Sequence, residues 1–161
     1  MIADTPSQRR ALLAATQTIA VVGASANPLR PSYTVFSYLR TQTPYRVTPI
    51  NPAVVAIDGV AAYPSLTAYA AEHGPPDMVD VFRKPSELAG IVTEAIAVGA
   101  KAVWLQYGVV DRAAIELANR AGLTVVIDRC VKVEYARFSG GLATSGLNSG
   151  LITSRRDPQS R

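Results

Sequence analysis

Apolar residues are distributed along this chain in two alternating patterns. Five short runs are nearly continuous: TIAVV (18–22), RVTPI (46–50), MVDVF (78–82), AVWLQ (102–106) and TVVID (124–128). They are rich in Val and Ile, and most do not alternate with polar residues, as expected of strands covered on both faces in a parallel sheet. RVTPI is the least regular, because Pro49 suits a strand end better than a strand centre. Between the runs, apolar positions recur at helical spacing. Leu88, Ile91, Val92, Ala95 and Ile96 share one face, with Ser86 as N-cap candidate and Gly99 just past the end. Ala114, Leu117, Ala118 and Ala121 share another, opened by Asp111 and closed by Gly122. Ser65 opens a shorter helix with Leu66, Tyr69, Ala70 and His73 at helical spacing, and Ser32 opens one whose Val35, Phe36 and Leu39 face inward. A first helix over residues 7–16 precedes the first strand.

The order is therefore helix, then strand and helix four times, then strand. Regular alternation of this kind requires right-handed crossovers and predicts an α/β fold: a doubly wound parallel sheet of about five strands with helices on both faces. After the fifth strand the sequence turns rich in Gly and Ser. Residues 1–138 are expected to form the domain, and 139–161 a short ordered wrap and a loose basic tail.

Composition narrows the class without changing the fold. A chain of 161 residues suits one domain with a real core. Its formal charge of +4 is too mild to announce nucleic acid, and part of it sits in the tail SRRDPQSR. The single cysteine, Cys130, rules out an internal disulfide and fits a reducing cytosol. No apolar run approaches the ~20 residues of a membrane span, and MIADTPSQRR has no secretory h-region. A cytoplasmic, soluble protein is expected, with neither membrane nor nucleic acid as partner.

Open parallel sheets bind ligands beyond the carboxyl ends of their strands. The loops there, 23–32, 51–57, 83–85, 107–110 and 129–133, hold Arg30, Arg83, Lys84, Arg129 and Lys132 and no Asp or Glu. A cationic rim predicts an anionic ligand, phosphates foremost; the alternative is that these side chains simply point to solvent. In IAVVGASANPLRPSYTV (19–35), Gly23 permits a tight turn after the first strand and Ser25 offers a hydroxyl. Amides at residues 32–34 would form an anion site aided by the helix dipole, and Pro28 and Pro31 stiffen the loop around Arg30. Neither G-x-G-x-x-G nor the Walker A pattern is present. An NAD site places Asp or Glu after the second strand to bind the ribose hydroxyls. Here Asn51 and Pro52 stand there, which disfavours NAD and leaves NADP open; Asn-Pro is equally a simple turn.

The segments GAS.NPLRPSY, INP, YPSL (63–66), VDVFRKP (79–85), AVWLQYGV (102–109) and VVIDRCVKVEY (125–135) succeed one another in order. Together they resemble the small, single-domain CoA-binding proteins of the YccU-like family. That family is similar to the Rossmann-like CoA-binding domain of the succinyl-CoA synthetase alpha subunit. The resemblance spans about residues 8–138 and implies coenzyme A as ligand. It places the diphosphate by residues 23–25 and the adenosine end between the loops after the second and third strands. Position by position, it points to Gly23, Ala24, Ser25, Arg30, Ser32, Asn51, Pro52, Val81, Phe82 and Arg83, with Lys84 beside them on the rim. Phe82 and Pro52 are candidates to sandwich the adenine, although Phe82 equally suits core packing. Relatives often carry Lys or Arg after NP where this chain has Ala53. One phosphate contact is then missing or supplied by Arg30 or Arg129.

Catalytic candidates are scarce. The histidine of the related synthetase belongs to a second domain without counterpart in this chain, and His73 reads as a packed or helix-capping residue. No His, Cys or carboxylate cluster has metal spacing, so no metal site is expected. Cys130 lies between Arg129 and Lys132, whose charges favour a thiolate. A mixed disulfide with the CoA thiol would make a redox-sensitive carrier; the alternative is a small residue filling space. Asp128 is read as pairing with Arg129 or capping amides, Trp104 as core, and Tyr107 as rim packing within reach of a ligand. The expectation is non-catalytic binding of CoA or a short acyl-CoA, as carrier, sensor or recruiting module. Competing readings are an NADP-dependent or acyl-CoA-processing enzyme, and a ligand-free protein-interaction domain that Ala53 keeps open.

Overall fold

The computed structural model describes residues 1–139; the tail expected for 139–161 lies, from residue 140, outside the described residues. The chain runs α1 (Pro6–Ala15), β1 (Thr18–Val22), α2 (Pro31–Gln42), β2 (Arg46–Ile50), the two-residue strands β3 (Ala56–Ile57) and β4 (Val60–Ala61), and α3 (Leu66–His73). It continues with β5 (Met78–Val81), a 3-10 turn at Pro85–Glu87, α4 (Leu88–Ala97), β6 (Ala102–Leu105), α5 (Arg112–Arg120), β7 (Thr124–Val126) and α6 (Val131–Ser139). All five continuous apolar runs are strands of one parallel sheet, ordered β2-β1-β5-β6-β7. Every residue of β5 and β6 is buried, which explains why these runs do not alternate. Pro49 is accommodated because β2 is an edge strand: its carbonyl points outward and accepts from Tyr63 N–H, and its missing N–H lies on that same outer side.

Helices cover both faces. Leu13 of α1, Val35, Phe36 and Leu39 of α2 and Val131 of α6 pack on Ile19, Val21, Trp104 and Val126. On the other face Leu66 and Tyr69 of α3, Leu88, Val92 and Ala95 of α4, and Ala114, Ile115 and Ala118 of α5 pack on Ala20, Val79, Val103 and Val125. Among the described residues, no helix is long and apolar enough to cross a membrane.

Several local expectations are corrected. Ser32 does not open α2; Arg30 is its N-cap and Pro31 its first residue. Ser86 is not an N-cap but lies inside the 3-10 turn, and Glu87 precedes α4. Leu117 is exposed, Ile115 taking its place on the buried side of α5. His73, the last residue of α3, is packed as expected but at the surface, its ring against Tyr63 and Tyr69 and its Nε2 2.8 Å from the Tyr63 hydroxyl. The β3–β4 hairpin, turned by Asp58 and Gly59 at φ 49° and 77°, begins inside the expected loop 51–57 and runs past its end. The segment after β7 is the helix α6, clasped to α1 by a buried ion-pair network: Arg9 Nε lies 2.8 Å and Arg137 Nη1 3.0 Å from the Glu134 carboxylate. At the far edge Ile2 bridges Val125 in parallel, and the Met1 amino group donates to Leu123 O at 2.8 Å.

Candidate functional site

From β1 the chain passes to β2 on one side of the sheet, and from β5 onward it fills the other, so the direction of winding reverses between β1 and β5. Open α/β sheets form their crevice at that point, beyond the carboxyl ends. Because Val22 is in register with both Ile50 and Val81, and Val81 with Leu105, these four strands end level. A cleft of about 980 Å³ opens there, at the upper end of the ~300–1,000 Å³ usual for ligand pockets.

Gly23 forms its floor. With φ at 84°, a Cβ on this residue would stand 2.5 Å from Phe82 O and 2.7 Å from Arg83 Cδ. No side chain fits without displacing the β5 loop, so the absence of Cβ is what lets the two loops converge. Beyond it, Ser25 Oγ accepts from Asn27 N–H at 3.1 Å, and Asn27 Oδ1 from Leu29 N–H at 3.0 Å. These local bonds brace the loop and deliver Arg30 and Ser32 to the wall of the cleft, at the start of α2. The first turn of α2 carries no acid, so its positive dipole end is uncompensated from within the helix.

Arg30, Arg83 and Lys84 line the cleft with Gly23, Ser25, Ser32, Asn51 and Phe82. The other expected site residues lie elsewhere. Ala24 and Val81 are fully buried. Pro52 lines a smaller adjoining pocket of about 270 Å³ rather than the main cleft, so it does not face Phe82 within one cavity. Phe82 packs on the α2 side of the core and also lines the cleft. Asn51 serves the scaffold: its Nδ2 donates to Ala24 O at 2.8 Å and its Oδ1 accepts from Ala53 N–H at 2.9 Å, tying the loops after β1 and β2 together. The cationic rim is smaller than its sequence count. Arg129 does not line the cleft, its Nη1 donating to Asp128 O, and Lys132 stands 5.4 Å over the Tyr38 ring instead. Nor is the rim free of acid, because Glu87 enters from the 3-10 turn and pairs with Arg83 at 2.5 Å. That pairing holds the Glu87 carboxyl below its ordinary range.

Cys130, a half-buried free thiol, lines the cleft. Trp104 Nε1 fixes its approach by donating to Arg129 O at 2.8 Å, and Asp128 Oδ1 caps Gly108 N–H at 2.9 Å. Tyr107 stands exposed at the rim. Sequence reasoning missed Gln106, which lines the cleft and donates to the buried Asp80 Oδ1 at 2.6 Å. Burial raises the Asp80 carboxyl to about 7, outweighing the Gln106 and Val81 N–H groups that favour its charged form. The signal was an acid inside the apolar run MVDVF.

Residues 17–136 match the CoA binding domain family. The YneT protein of Bacillus subtilis is 35% identical over 125 residues, which cover 78% of this chain and 90% of that protein. A protein of known structure from Pyrococcus horikoshii OT3 is 37% identical with a TM-score of 0.79, covering 84% of this chain and 93% of that one. Another, ID.343 from Thermus thermophilus, is 39% identical with a TM-score of 0.76, covering 83% and 98%.

Proposed function

The chain belongs to the CoA binding domain family, and on that premise we propose that it binds coenzyme A or a short acyl-CoA in this cleft without transforming it, as a carrier, sensor or recruiting module. The observation that carries the reading is the convergence of Arg30, Arg83 and Lys84 on a floor where Gly23 leaves no Cβ. Backbone and cations approached that closely suit a diphosphate, which needs N–H donors and positive charge at short range. Arg30, the start of α2 and Arg83 would hold the phosphates, and Phe82 offers a ring for the adenine. CoA would supply a thiol for carrying acyl groups. The free Cys130 beside such a thiol fits a reducing, cytoplasmic setting. Non-catalytic binding is favoured by the lining itself, which among the described residues includes no histidine and one acid, Glu87, already engaged with Arg83.

Titration calorimetry of the reduced protein with CoA, acetyl-CoA, NADP and NAD tests this. CoA is expected to bind, and Arg83→Ala to weaken it about tenfold, the usual scale for one charge-assisted phosphate contact. Binding of NADP with silence toward CoA would replace this reading with a reductase.

A further inference from the structure

Resting on the reading of the cleft as a phosphate site, we infer that Glu87 determines its specificity: the carboxylate occupies the place on Arg83 that a ligand phosphate takes, so the cleft selects ligands with enough charge to displace it. Glu87 Oε1 receives both Arg83 Nη2, at 2.5 Å, and Arg83 Nε, at 3.2 Å, while Oε2 receives the Lys84 backbone N–H at 3.3 Å. A guanidinium edge and an adjacent backbone amide are the donors that a phosphate group uses. Here an internal carboxylate holds all of them. Glu87 and Arg83 line both the main cleft and its smaller neighbour, so their pair stands at the junction of the two.

The pair is built to open. Its side chains are 44% and 38% exposed, so water and salt screen it and its net worth is small. The Arg9–Glu134 pair, at 4% and 2%, has no such freedom. The Glu87 backbone N–H bonds Lys84 O at 3.0 Å independently of the side chain, so the 3-10 turn persists when the carboxylate swings away. A monoanion gains little more on Arg83 than it displaces. A diphosphate also gains Lys84 and Arg30, and therefore wins the exchange.

The test is calorimetry on the full chain with CoA, inorganic diphosphate and inorganic phosphate as probes, comparing wild type, Glu87→Gln, Arg83→Ala and the double variant. Glutamine keeps the side-chain length and an acceptor for Lys84 N–H. Glu87→Gln is expected to tighten CoA and diphosphate about fivefold and phosphate by more, narrowing the discrimination. Most of that gain should vanish in the Arg83→Ala background. If wild type binds CoA and Glu87→Gln binds it equally or more weakly, the inference falls and the CoA reading stands. Diphosphate that tightens in Glu87→Gln without any CoA binding sustains the role of Glu87 and overturns the CoA reading. Silence toward all three probes in both proteins overturns both.

Discussion

Asp80, buried and bonded to the cleft-lining Gln106, and Glu87, on the cleft wall, have opposite fortunes: the first is driven toward its neutral form by burial, the second held charged by Arg83. For Asp80 the sign of the pH effect is direct. The folded protein keeps this proton up to about pH 7, whereas an ordinary Asp releases it near 3.8. Between those values unfolding releases a proton, so the contribution of Asp80 to stability is full below the lower pH and is lost as pH rises toward 7, by up to about tenfold in the folding constant per unit. Asp80→Asn cannot ionise and still bonds Gln106. It should flatten that decline and be more stable than wild type near pH 8, read from urea midpoints at about pH 5 and about pH 8. An unchanged slope would place the buried proton elsewhere. Gly23, Arg30 and Arg83 are legible in the sequence because the topology names the loops that matter; Asp80 goes unread, although an acid in an apolar run marks it. Glu87 is not legible, because it arrives from a 3-10 turn, which has no hydrophobic period to mark it, two residues beyond the loop as read.

Elements were legible where burial imposes a period. β5 and β6 show it most plainly, being buried throughout. α6 is not legible as a helix, although Val131, Tyr135 and Phe138 stand at helical spacing; the sequence beyond it turns to Gly and Ser, and the chain before it offers no clear cap. Its partner is far away in sequence, which no local pattern encodes. Arg9 on α1 meets Glu134 on α6, and Arg137 joins one turn further on. A buried network of this kind loses most when one member is deleted, because the opposing charges stay in place. Glu134→Ala should cost about 3–5 kcal/mol in urea denaturation, far more than an exposed pair such as Arg120–Glu116 contributes. A loss below about 1 kcal/mol would mean that the α1–α6 contact rests on apolar packing alone.

For the whole molecule, strand order turns a set of separate loops into one cleft: β1 and β5 are neighbours although most of two strand–helix units separate them in sequence. The family assignment and the parallel sheet agree on that frame. Cys130 comes to the cleft from the far end of the chain and so reports on its occupancy. Saturating CoA should slow alkylation of Cys130 by iodoacetamide at least severalfold, measured by mass spectrometry, with no change in the unfolded protein. Equal rates with and without CoA would place the ligand away from the thiol.

The same sheet has both its margins occupied. Tyr63 takes Pro49 O and gives its own carbonyl to Asn51 N–H along β2, while Ile2 and Ala3 lie along β7, where Ala3 N–H donates to Val125 O and Val125 N–H to Met1 O. Unpaired strand margins are templates on which other chains add. Here part of each is covered by a short piece of the same polypeptide, which shortens the backbone ladder left for another chain to extend.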